Sequence, residues 1–240
     1  MHLIRSCLAI VLAVCIGPAA LAGETRSKDP IKHIGVYVTP YYSAALTPEG
    51  TPEVAVAREF DARLASNMRE DIVAVRDALQ AKPQLITPMT FMVLAIRLYD
   101  VGLRDESVFW FYVAKNRYFT MVDVLNMKAP GLSGVSVAVR DFAVLAGPFI
   151  NSYAFCDFAK QEAAALKAID WVENYPYEGL FMEQLPSLPG DRAENLKKAI
   201  AGIREGQEKE REYLADPKNR EEMTKQRKEN NVPEQYCWST

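Results

Sequence analysis

The chain has 240 residues, 49% of them hydrophobic and 25% charged, with 28 Lys and Arg set against 31 Asp and Glu. That length and apolar content suffice for one sizeable core. The mildly acidic balance argues against nucleic acid as a partner, because a phosphate backbone demands a cationic face.

Residues 1–5 form a short basic start, residues 6–16 an apolar run that Gly17-Pro18 breaks, and Ala20-Leu21-Ala22 a small-x-small cleavage pattern. This predicts a cleaved export signal over residues 1–22, a periplasmic or secreted location, and no membrane span in the mature chain. A lipobox at Cys15 is disfavoured because Val14, just before it, is not small. Removing residues 1–22 of the 240 leaves 218. Cys7 and Cys15 leave with the signal, so Cys156 and Cys237 remain as one pair in an oxidising compartment, which predicts a disulfide. Closing the loop of 81 residues between them stabilises by about 4 kcal/mol in the chain-entropy account.

Residues 23–50 read as an extended segment, with strand character only at residues 34–38. Residues 51–240 read as a single helical domain. Thr51-Pro52-Glu53 is a helix start, and Val54, Ala57, Leu64, Met68, Ile72, Val75 and Leu79 mark one face of a long amphipathic helix ended by Pro83. Thr87-Pro88 repeats the start signal, Gly102 closes the second helix, and Arg104 or Asp105 opens the third. A Gly/Pro-rich loop at residues 128–134 precedes a fourth apolar segment, residues 135–155. Arg140 and Asp141 interrupt it, which speaks against a membrane span. A fifth helix runs from about Phe158 to Asn174. Asp191 with Glu194 makes a capping box for a sixth, and Asp216-Pro217 caps a charged seventh. Pairs such as Glu205/Lys209 suit a solvated face there. The expected class is all-α, an irregular bundle of about seven helices.

Residues 88–114 resemble a single tetratricopeptide unit. The resemblance rests on Ala95, Leu98-Tyr99, Gly102, Asp105-Glu106-Ser107, Phe111 and Ala114, with Ser107 standing where the family usually has Ala. It implies two antiparallel helices brought close by small residues. It covers about 27 residues and has no second copy, whereas about three units are needed for a repeat array. The run Val108-Phe109-Trp110-Phe111-Tyr112-Val113 is apolar all round when drawn as a helix, which predicts burial on every side.

Catalytic equipment is scarce. Of two His, His2 leaves with the signal, so imidazole chemistry depends on His33 alone, and zinc sites of several His or Cys are excluded. Gly131-Leu132-Ser133-Gly134-Val135 has the wrong glycine spacing for a nucleophile elbow, and phosphate and dinucleotide loops are missing. No cofactor and no metal is expected. The expectation is an exported non-enzymatic protein-binding protein, in its most concrete form an inhibitor or immunity protein against an exported effector. Its candidate contacts are Tyr41 and Tyr42, the loop Leu180-Phe181-Met182, and whatever part of Phe109, Trp110 and Tyr112 is uncovered. Two alternatives stand beside it. One is a helical enzyme using paired carboxylates among Glu178, Glu183, Asp157 and Asp170. The other is a carrier of a small apolar ligand, which needs a cavity lined by the aromatic run.

Overall fold

The computed structural model describes residues 59–130 and 132–237. The export signal, His33, the strand-like residues 34–38, Tyr41, Tyr42, the Thr51-Pro52 helix start and Gly131 lie outside the described residues. Within them every extended element is helical, and one isolated antiparallel bridge joins Leu125 to Ser187.

The first helix departs from expectation. It is two pieces, α1 (Asp61–Leu64) and α2 (Arg69–Ala81), separated by residues 65–68. Ser66 Oγ accepts the Met68 N–H at 3.0 Å, offering the backbone a turn in place of the next helical bond. Arg97, buried on another helix, holds the break open by donating to the Ser66 carbonyl at 2.9 Å and to Asn67 Oδ1 at 2.8 Å. Leu64, Ile72, Val75 and Leu79 keep their places in the core, while Met68, expected on the same face, is 61% exposed.

α3 (Pro88–Asp100) starts on Thr87, whose hydroxyl accepts the Thr90 N–H at 3.3 Å, with Pro88 at the first position. It ends at Gly102, whose φ of +84° is the left-handed conformation that side chains resist. α4 (Arg104–Val124) then runs back along it. The two form a close α-hairpin at the centre of the molecule. Every residue from Pro88 to Tyr99 is buried, and Ala95 and Ala114 are fully so. Ser107 donates its hydroxyl to the Ala95 carbonyl at 2.7 Å, a bond across the hairpin that an Ala there would lack.

The remaining helices wrap this hairpin. α5 (Ser133–Ala154) packs on α3 and α4; α6 (Phe158–Asn174) and α7 (Arg192–Ala215) pack on α4. Asp157 caps α6 by accepting from Ala159 and Lys160, Asp191 caps α7 by accepting from Glu194, and Asp216 caps α8 (Pro217–Glu229). A short α9 (Val232–Tyr236), absent from the expectation, closes the described chain. α8 and α9 bury no residue, in keeping with a solvated charged end, and Lys209 pairs with Glu205 at 2.6 Å. The bridge Cys156–Cys237 is formed.

A second, smaller core holds Met121, Val124, Leu125, Leu132, Tyr177 and Leu180. Its loop, which includes the 3₁₀ turn Glu178–Phe181, is tied to the rest of the chain by backbone bonds from Glu178 to Gln84 and from Leu188 to Val124. Arg192 adds to these, donating to the carbonyls of Leu180, Met182 and Leu185 at 2.6–2.8 Å.

Candidate interaction surface

The aromatic run lies in the core. Trp110 is 2% exposed and stacks on Phe91 at 5.0 Å, with Trp171 edge-on at 5.3 Å. Burying side chains of this size stabilises by about 1.5–3 kcal/mol each. Of the sequence-derived contacts, Trp110, Tyr112 and Leu180 are buried and present no surface to a partner. Phe109 and Met182 are half-buried, and Phe181 stands 44% exposed. The rings of Phe91, Trp110 and Trp171 fill the space an apolar ligand would need.

Glu178, Glu183, Asp157 and Asp170 are all solvent-exposed; Asp157 caps α6 and Asp170 lies towards its other end, while Glu178 and Glu183 sit in the loop that follows. Asp157 is used as a helix cap and Asp170 pairs with Arg204 at 2.8 Å. Among the described residues no three His, Cys, Asp or Glu are grouped to hold a metal ion.

A slot of 180 Å³ with a mixed polar and apolar lining lies between α6, α7 and α8, lined in part by Phe158, Gln161, Gln207, Arg211 and Leu214. At Gln161 the side-chain amide donates to the Tyr112 hydroxyl at 3.3 Å and to Glu210 Oε1 at 2.9 Å. Burial raises the Tyr112 phenol well above its ordinary value and lowers the nearby Lys115 ammonium, whose Nζ sits 5.6 Å from the rings of Phe111 and Tyr112. This network joins three helices. It explains why a tyrosine and a lysine are tolerated beside the core.

The surface that sequence reasoning missed is the outer face of α5. This helix buries Val139, Ala146, Gly147, Ile150 and Ala154, and at Gly147 it faces the Phe111 ring of α4. The opposite stripe, at spacings of three and four, carries Val137 at 49%, Val144 at 69% and Leu145 at 43% exposure, with Gly134 and Pro148 also exposed. Arg140 and Asp141 sit in its middle, 3.5 Å apart, so the stripe has no net charge. Pro148 has no N–H, so the Val144 carbonyl lacks its usual donor four residues on, which leaves an acceptor beside the most exposed valine. α5 also has the length and hydropathy to cross a membrane, a test that core helices of soluble proteins pass as well. At its end, Phe149 meets Tyr236 of α9 edge-on at 6.0 Å and Tyr99 of α3 at 6.5 Å. Burial pushes the Tyr99 phenol up to about 12.

No family model matches the chain, and no solved structure matches it. It is 38% identical over 221 residues to a Haemophilus influenzae protein described as "Uncharacterized protein", an alignment that spans 90% of this chain and 83% of that one.

Proposed function

We propose that this chain, which belongs to the same family as the Haemophilus influenzae protein, is an exported, non-enzymatic binding protein that docks a protein partner on the outer face of α5. The observation that carries the reading is the exposed stripe of Val137, Val144 and Leu145 on a helix otherwise built like a core element. Exposed apolar residues grouped on one helix face, here on either side of the Arg140–Asp141 pair, mark an interaction site more often than scattered surface residues do. Its chemistry favours a protein over an anionic membrane: one cation beside one anion gives no attraction to lipid headgroups, whereas an apolar partner with a hydrogen-bond donor for the Val144 carbonyl fits. Export is supported by the N-terminal signal pattern, and the Cys156–Cys237 bridge is compatible with it. In its narrower form the partner is an exported effector and this chain its inhibitor or immunity protein.

The test is capture of partners from envelope extracts with the oxidised chain, wild type against the double variant Val144→Asp, Leu145→Asp. Both positions are exposed, so the variant keeps its fold and melting temperature. Its loss of two apolar contacts and its gain of two charges weaken binding by about 3 kcal/mol, more than 100-fold in Kd. A partner held equally by both proteins sinks the α5 assignment.

A further inference from the structure

The bridge between Cys156 and Cys237 stands in unusual company. Cys156 is solvent-exposed and Cys237 partly so. The Arg227 guanidinium lies against both sulfurs, with Nη2 3.6 Å from Cys156 Sγ and 3.5 Å from Cys237 Sγ, while the same nitrogen donates to the Ser152 carbonyl at 2.8 Å. A purely structural bridge needs no cation. A cation at this distance from both sulfurs favours whichever of them carries charge when the bond opens. The segment tied down by the bridge is otherwise lightly held: α8 and α9 bury no residue, and their noncovalent anchors include Arg220 over the Phe158 ring, Tyr236 against Phe149 and the Arg227 bond to Ser152.

We propose that this bridge is an exchangeable disulfide and that Cys156 is the site of attack for an external dithiol. In the first step the incoming thiolate forms a bond to Cys156 Sγ, the Cys156–Cys237 bond breaks, and Cys237 leaves as a thiolate beside Arg227. In the second, the other thiol of the dithiol, deprotonated, attacks the sulfur joined to Cys156. Cys156 leaves as a thiolate beside the same guanidinium. The dithiol becomes a cyclic disulfide, so two electrons pass to the protein and both cysteines end reduced. The opened chain loses the cross-link that holds residues 217–237, and α9 comes away from Phe149. This holds whatever α5 binds.

The experiment uses the full exported chain, oxidised, in native buffer, with dithiothreitol and reduced glutathione as probes. The wild-type bridge opens without denaturant, at a rate within about tenfold of oxidised glutathione under the same thiol. The Arg227→Gln variant opens about three- to tenfold more slowly in native buffer, and at the wild-type rate in concentrated denaturant. The sign matters. If Arg227 merely locked the tail through Ser152, its loss would loosen the bridge and speed the reaction. The first glutathione adduct maps to Cys156, and reduction raises amide exchange over residues 217–237 while residues 88–124 keep their protection. A bridge that opens only in denaturant, a variant as fast as or faster than wild type, a first adduct on Cys237, or unchanged tail exchange overturns the proposal.

Discussion

Replacing Arg117 with methionine lowers the free energy of unfolding by about 3 kcal/mol, read from urea titrations of the oxidised chain. Arg117 is fully buried and pairs with carbonyls and rings. Its Nη1 donates to Pro83 and Ile86 at 2.7 and 2.6 Å, its Nη2 donates to Tyr175, and its plane lies 5.0 Å from Phe91 and 5.1 Å from Trp171. Burial pushes the guanidinium down to about 9, so it remains charged at neutral pH. Two effects compete. Methionine relieves the desolvation of a cation, worth a few kcal/mol. It also takes their Arg117 donor from the Ile86 and Tyr175 carbonyls, at about 1–3 kcal/mol each, leaves Pro83 only the Ile86 N–H, and removes cation–π contacts worth about 2 kcal/mol. The losses win. Arg117→Lys falls by a similar amount, because a compact ammonium cannot serve carbonyls on both the α2–α3 loop and the end of α6. A methionine variant as stable as wild type would mean that those carbonyls find other donors.

Trp110→Ala costs about 3–5 kcal/mol and leaves partner capture by the folded fraction unchanged. The indole is sandwiched between Phe91 and two edge-on rings, Trp171 and Phe109, and the cavity it leaves has walls on three helices that cannot all collapse inward. Thermal unfolding and capture on the same preparation separate the two roles. Full stability with lost capture would return Trp110 to the set of partner contacts.

The helix boundaries were legible because their causes are local. Thr87-Pro88, Gly102, Asp191 and Asp216 each act within a turn of their own position, and each acts at the place its type predicts. The run at Val108–Val113 was legible as core, since a helix with no polar face has nowhere else to go. The break between α1 and α2 was not. It depends on Arg97, thirty residues away, and no window around Ser66 contains that information. Arg117, Arg192 and Arg227 escaped for a related reason: arginine in a sequence reads as solvated, yet each of these donates to loop or helix-end carbonyls, Arg117 and Arg227 from across the fold. The α5 surface was hidden by composition. Val137, Val144 and Leu145 look like core residues until the packing partners of α5 decide which face turns inward. The one hint was an apolar segment with hydrophobic residues on both faces and a charge pair at its centre.

The most direct measurement places a photo-crosslinking side chain at position 144 of the full chain in living cells, with the same side chain at exposed position 198 of α7 as the control. Docking on α5 predicts one protein adduct from position 144 and none of that mass from position 198. No adduct from position 144, the same adduct from both positions, or labelling of lipid alone would contradict it.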